Sequence, residues 1–282
     1  MYNISSDVTG VRMSYDGKHM WINKANVPSG MASVHRVSMD GMTDENLSSQ
    51  FTGMNHQLTV LPDETVAFYA YGSNGCDDVK ERAPNGTVKT IVNARTAHGG
   101  TEMCHLNNIQ YSRMDDTLVF SDLDNQDITK VTRTGTTVWV LNGTGNQFTG
   151  ASWKGSEHGI HVLGLDDFLI FNNNSRVAAG STMMVGGTGD GSIAIRIKLD
   201  LGTKTATQTW MYKALDSMNR GIQNDVMGDL QRLPNGNTVI GYSTKGVVQE
   251  VDANGMVVQE LGFPNSFGYI EKRATLYGPP PR

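Results

Sequence analysis

The chain has 282 residues, 38% of them hydrophobic and 18% charged, with 32 glycines and a formal net charge of −5. That length holds one large or two small domains, and the composition is that of a turn-rich globular protein, not a disordered one. The negative balance leaves no electrostatic footprint for nucleic acid or an anionic membrane, and no apolar run approaches the roughly 18 residues of a membrane span.

At the N-terminus, Met1 to Ser6 lacks the basic and apolar regions of a signal peptide. The protein is therefore expected to be cytoplasmic, or periplasmic or secreted in a mature form. The frequent Asn, Thr and Gly fit export. Downstream, long stretches with apolar residues at three-four spacing are absent. Short runs rich in Val, Ile, Thr, Phe and Tyr alternate with Gly, Asn and Asp instead. The run 11–15 meets the turn Asp16-Gly17 and returns as 19–22. Residues 55–61 lead to Asp63-Glu64, residues 104–109 to Asp115-Asp116, residues 157–163 to Asp166-Asp167, and residues 228–233 to Asn235-Gly236. After each turn an apolar run comes back: 65–69, 117–121, 168–172 and 238–242.

A second hairpin signal follows three of these units, at Asn85-Gly86, Thr134-Gly135 and Asn254-Gly255. Two hairpins recurring about every fifty residues read as four-stranded sheets, and their repetition predicts an all-β fold, a β-propeller of four-stranded antiparallel blades around a central channel. Five inner hairpins are countable. The longer interval after Asp166 carries an extra strand over 192–199 and a polar, helix-compatible segment over 214–224, so five or six blades are expected. No linker divides the chain, and 1–282 is read as one domain. The two cysteines, Cys76 and Cys104, are either free thiols or one disulfide that would tie down the segment bearing His105.

In a propeller the first strand of each blade lines the channel, and alternate side chains point into it. His56, His105 and His158 stand near the start of three successive inner strands and should converge at one mouth. Asn107 shares the parity of His105. Asp229 and Gln231 occupy the equivalent place in the last unit and are candidates to complete the ring. His161, three residues after His158, should face the opposite way. A lone histidine in a β protein is ordinarily a hydrogen-bonded structural residue, the reading taken for His19, His35 and His98. Three at matching repeat positions form a site. Converging imidazoles support nucleophilic and acid–base work. They equally support a divalent cation (Zn, Mn, Fe, Cu or Ca) on His56, His105 and His158, with Asp229 as a further ligand, suited to a lyase or hydrolase.

The stretches His56-Gln57-Leu58-Thr59-Val60-Leu61-Pro62, Cys104-His105-Leu106-Asn107-Asn108-Ile109-Gln110-Tyr111 and Gly228-Asp229-Leu230-Gln231-Arg232-Leu233-Pro234-Asn235-Gly236-Asn237-Thr238 resemble the bacterial arylsulfate sulfotransferase family. Gly268-Tyr269 and the terminal Tyr277-Gly278-Pro279-Pro280-Pro281-Arg282 fit its relatives too, and the resemblance spans roughly residues 50 to 250. It implies a six-bladed, usually periplasmic propeller that moves a sulfuryl group between phenols by a ping-pong route through a sulfated histidine, without a cofactor. His158 would be the nucleophile. His56, His105 and Asn107 would bind the sulfuryl oxygens or serve the phenol oxygen. One departure stands out. The family carries an arginine in a Ser-x-Arg context after the His-x-Asn strand, where this chain has Ser121-Asp122-Leu123-Asp124-Asn125. A guanidinium would give an anionic ester charge-assisted bonds, whereas two carboxylates favour a cation. Arg220, in the long insertion, is a candidate replacement.

Three readings follow. The first is arylsulfotransferase-like transfer through His158, on an aromatic or anionic small molecule. The second is a metal-dependent lyase or hydrolase on the same histidines. The third is a non-catalytic propeller that binds a ligand or partner on its face. The oligomeric state has no sequence signal.

Overall fold

A computed structural model describes residues 9–26, 31–99, 104–153, 157–174, 176–177, 184–185 and 191–273. It is an all-β propeller of five blades. Blade 1 is β1 (Gly10–Met13), β2 (His19–Asn26), β3 (Met31–Ser38) and β4 (Asp44–Asn46). Blade 2 is β5 (Met54–Val60), β6 (Val66–Tyr71), β7 (Asp77–Arg82) and β8 (Val88–Asn93). A five-residue helix, α1 (Ala94–His98), leads to blade 3: β9 (Leu106–Ser112), β10 (Thr117–Asp122), β11 (Asp127–Thr132) and β12 (Thr137–Asn142). Blade 4 has β14 (Glu157–Gly164) innermost, then β15 (Asp167–Asn172), β18 (Ile193–Asp200) and β19 (Thr205–Tyr212), with β13 (Thr149–Gly150) parallel on its outer edge. A two-stranded ribbon, β16 (Arg176–Val177) with β17 (Met184–Val185), is inserted between β15 and β18. Blade 5 is β20 (Asp229–Arg232), β21 (Thr238–Tyr242), β22 (Val247–Val251) and β23 (Val257–Gly262). No helix of the described residues is long and apolar enough to cross a membrane.

The acids of the inner turns hold the hairpins locally. Asp63 accepts the Thr65 amide, and Asp115 accepts the Ser112 and Thr117 hydroxyls. Such side-chain turns let Glu64 and Asp116 take positive φ, 62° and 52°. Strand faces then bury between blades. Four apolar clusters fill four of the five seams. Trp21, Phe51 and Phe68 lie between blades 1 and 2, Tyr69, Leu106 and Phe120 between 2 and 3, Trp139, Ile160 and Phe168 between 3 and 4, and Phe171, Leu230 and Tyr242 between 4 and 5. Gly228 and Gly159 let the last of these seams close. A Cβ on Gly228 would lie 2.3 Å from the Phe171 ring, and one on Gly159 would lie 2.9 Å from the Asp229 Cα.

The fifth seam, between blades 5 and 1, is stitched by the segment after β23. The Tyr269 amide donates to the Thr9 carbonyl, the Ile270 amide to Asp229, and the Lys272 amide to Gln231, whose own amide returns a bond to the Lys272 carbonyl. The Tyr269 hydroxyl donates to the Asn107 carbonyl at 2.7 Å.

Of the five or six blades expected, the ring has five, because the strand read over 192–199 is β18, the third strand of blade 4; the six that the family resemblance implies are not reached among the described residues. One expectation is corrected. The helix-compatible segment over 214–224 is not helical. Asp216 accepts the Met218 and Arg220 amides and the Arg220 side chain, and Leu215 bridges Gly221, so a side-chain-held turn replaces helical bonds. Of the two options left open for the cysteines, the disulfide is realised. Cys76 and Cys104 are joined, Cα atoms 4.4 Å apart, inside the seam between blades 2 and 3. Residues 277–282, part of the family resemblance, lie outside the described residues.

Candidate functional site

The inner strands of blades 2, 3 and 4 are all irregular where the chemistry-bearing residues sit. In β14 the pairing runs from Glu157↔Asn172 to Gly159↔Phe171, leaving His158 as the extra residue of a bulge. In β9 it runs from Leu106↔Asp122 to Asn108↔Ser121, leaving Asn107. In β5 it jumps from Met54↔Ala70 to Leu58↔Phe68, and within that gap His56 has a φ of 45°. A bulge re-aims a side chain that regular pleating would send elsewhere. Left-handed backbone at a non-glycine residue costs about 1–3 kcal/mol and persists where the surroundings impose it.

The histidines converge, and their neighbours set their tautomers. His158 Nδ1 lies 2.6 Å from Asn173 Oδ1. Both amide hydrogens of Asn173 are committed, to the Asn224 and Met227 carbonyls at 2.7 Å each, so its oxygen faces the ring. His158 therefore carries its proton on Nδ1 and a lone pair on Nε2. His56 follows the same logic. Its Nδ1 is 3.0 Å from Asn55 Oδ1, while the Asn55 amide donates to Asp77. His56 Nε2 is then the acceptor facing His105 Nε2 at 3.4 Å, which places the hydrogen on the His105 side. Burial pushes His158 down to about 4, against the Asn173 bond that raises it. Burial, then the neighbouring His105 and His158, pulls His56 well below its ordinary value. Burial also lowers His105, with Asp124 and Asp122 opposing. All three are neutral imidazoles at neutral pH.

The acids around them are mostly structural. Asp122, in the acidic run that stands where the family carries its arginine, is fully buried. It accepts the backbone amides of His105, Asp124 and Asn125 and the Asn125 side chain, so it holds the His105 loop. Asp77 accepts the Leu106 amide and the Asn55 side chain, and burial raises it to about 7. Glu157 is buried under the Trp153 indole and raised well above the usual carboxylate range by desolvation.

The remaining predicted residues separate. Asn107 Nδ2 donates to the Glu157 carbonyl, next to His158, and its Oδ1 is buried without a partner. Asp229 is committed to the Leu230 and Ile270 amides and lies 3.7 Å from Arg12, while Gln231 pairs with the Lys272 backbone. Neither has a contact with the three imidazoles. His161 lies toward the other end of β14, at the opposite mouth. Arg220 is exposed and paired with Asp216. His35 pairs with Asp44, and His98 lies 3.3 Å from Cys104 Sγ and 3.2 Å from the Asn125 amide. Among the described residues, the set of three His, Cys, Asp or Glu groups whose ligand atoms all fall within 4.8 Å is Cys76, His98 and Cys104, two of which form the disulfide. His56 and His105 alone have the roughly 3.4 Å separation that two nitrogens take on one tetrahedral ion with metal–nitrogen bonds of about 2.0–2.1 Å. Asn173 and Asn55, which fix the tautomers, carried no repeat signal. The only hint of Asn173 was the run Asn172-Asn173-Asn174 closing the β15 hairpin.

The arylsulfotransferase (ASST) family model matches residues 76–263. The chain belongs to the arylsulfotransferase family. No curated protein matches it. Among solved structures, this arylsulfotransferase propeller is similar to virginiamycin B lyase from Staphylococcus aureus, at 11% identity and a TM-score of 0.56 over 97% of this chain and 77% of that one. It is similar to TolB from Acinetobacter baumannii, at 12% identity and a TM-score of 0.56 over 93% of this chain and 56% of that one. A functionally unknown protein from Desulfotomaculum acetoxidans aligns at 10% identity and a TM-score of 0.55, over 95% and 75% of the two chains. At these identities the likeness is one of fold.

Proposed function

We propose that this arylsulfotransferase-family propeller transfers a sulfuryl group from an aryl sulfate to an acceptor phenol through a covalent intermediate on His158. The observation that carries the reading is the 2.6 Å bond from His158 Nδ1 to an Asn173 oxygen whose own amide is pinned on both hydrogens. It leaves Nε2 as an unprotonated, oriented nucleophile. In the first half reaction Nε2 attacks sulfur. The N–S bond forms as the S–O(aryl) bond breaks, and the phenolate leaves with that electron pair. The ring then has imidazolium character, which the Nδ1–H bond to Asn173 stabilises. In the second half the acceptor phenol oxygen attacks the same sulfur, its proton passes to neutral His105 and from there to solvent or the departed phenolate, and the N–S electrons return to His158. Asp122 and Asp124 favour the charged His105 this step needs.

Asp122 is no obstacle to an anionic ester, because backbone amides consume its carboxylate. The disulfide suits an oxidising, periplasmic or secreted location. The test is release of 4-nitrophenolate from 4-nitrophenyl sulfate with sulfation of added phenol, and loss of both in His158→Ala. An unchanged rate in that variant contradicts the proposal.

A second reading has one observation in its favour. The 3.4 Å His56–His105 separation fits a divalent cation on those two nitrogens, for lyase or hydrolase chemistry with the cation as Lewis acid. Elemental analysis of protein purified without added metal separates the two. Stoichiometric metal lost in His56→Ala and His105→Ala but kept in His158→Ala would favour the second reading.

A further inference from the structure

The mouth opposite the imidazoles holds a cavity of about 800 Å³, framed by the far ends of the inner strands. That is the size of a small-molecule site. Tyr269 spans the channel between the two mouths, from the Thr9 carbonyl to the Asn107 carbonyl. Four arginines, Arg12, Arg113, Arg196 and Arg232, line the cavity, against the acids Asp229 and Glu271. The acids are already satisfied. Asp229 has two backbone amides and Arg12, and Glu271 has Arg273 at 2.6 Å. Arg196 is spent on Asp167 through two bonds.

Arg113 and Arg232 are what remain. Neither has a carboxylate within ion-pair distance among the described residues. Arg113 lies over the Tyr15 ring at 5.3 Å and Arg232 over the Trp210 ring at 5.5 Å, with Arg232 also donating to the Gly236 carbonyl. Stacking holds each guanidinium in place before a ligand arrives, which lowers the ordering cost of binding. Half-buried His161 has no hydrogen-bond partner among the described residues and faces the same space. Burial, then Arg12 and Arg232, push it down to about 4, so it serves as a neutral donor and acceptor. Gln110 gives its oxygen to the Val162 amide and keeps its amide hydrogens for the cavity. Met13, Met114 and Leu163 supply apolar wall.

We propose that this cavity is a second binding site, separate from the imidazole mouth, for a small organic anion that carries one carboxylate, sulfate or phosphate on an aromatic or apolar body. Arg113 and Arg232 take the anionic group, and the methionines and Leu163 take the body. The test is calorimetric titration of the full chain with benzoate, phenyl sulfate, phenyl phosphate, phenol and inorganic sulfate. At least one aromatic anion is expected to bind, phenol and inorganic sulfate more weakly than it, and the best of the three names the anionic group. Arg113→Gln combined with Arg232→Gln should weaken that binding tenfold or more, and His158→Ala should leave it unchanged. Absence of binding by all three aromatic anions, equal binding by the double variant, or loss of binding in His158→Ala would overturn the proposal. Should the double variant fail to fold, NMR titration of the histidine ring resonances decides. A shift at His161 without one at His158 supports the site, and the reverse contradicts it.

Discussion

The state of His158 rests on one partner. Asn173 fixes its proton on Nδ1, and burial keeps the ring neutral, with a pKa of about 4. Replacing His158 by Ala should abolish transfer, whereas Asn173→Ala should lower kcat by about 10–100-fold, the scale at which orienting partners of functional histidines act. In the proposed mechanism the neutral ring is the nucleophile, and its pKa is depressed, so the first half reaction should stay level from pH 7 down to about 5 and fall only near pH 4. A fall centred near the ordinary histidine value of about 6.5 would contradict the assignment. That His158 lies beside His56 and His105 was readable from its place in the repeat. Asn173 was not, because it follows a different strand and meets the histidine only through the fold.

The bulges in β5, β9 and β14 place His56, Asn107 and His158 as a set. Sequence parity anticipated which strands bring His56, His105 and His158 together. It could not show the bulges, since an inserted residue looks like any other until its partner strand is known. The helix-compatible reading of 214–224 failed for a related reason, because the Asp216 side chain supplies the competing bonds. Two elements hold the His105 strand. One is the disulfide, whose cysteines stand 28 residues apart. Cys76→Ala with Cys104→Ala should cost about 3 kcal/mol in urea unfolding, from the freed loop of the unfolded chain, and should reduce transfer by loosening His105. The other is Asp77, which accepts the Leu106 amide. Its folded pKa, about 7, lies above the ordinary 3.8. The folded state thus holds the proton more tightly, and Asp77's contribution is full below pH 3.8 and lost as pH rises through 7. The drop in Tm from pH 5 to pH 8 should therefore be smaller in Asp77→Asn than in the natural protein. An equal drop in both would show that Asp77 does not titrate in this window.

At the scale of the whole molecule, four seams are apolar and the fifth is closed by the segment 269–272. The repeat made the propeller legible. The closing strap was invisible in the sequence, because its bonds run from backbone amides to Asp229 and Gln231, residues read there as ring members. Tyr269 locks that strap and is buried. Tyr269→Phe should cost about 1 kcal/mol for the lost bond to the Asn107 carbonyl, and Tyr269→Ala about 3–5 kcal/mol, both read from denaturant unfolding. The two mouths that Tyr269 separates differ in charge, one with neutral imidazoles and the other with unpaired guanidiniums, and the chemistry is assigned to the first. The most direct test is the intact mass of the protein after incubation with 4-nitrophenyl sulfate and no acceptor. The account predicts a gain of one SO₃ group, mapped to His158, absent in His158→Ala, and lost on adding phenol. Turnover with no covalent adduct, or an adduct that persists in His158→Ala, would contradict it.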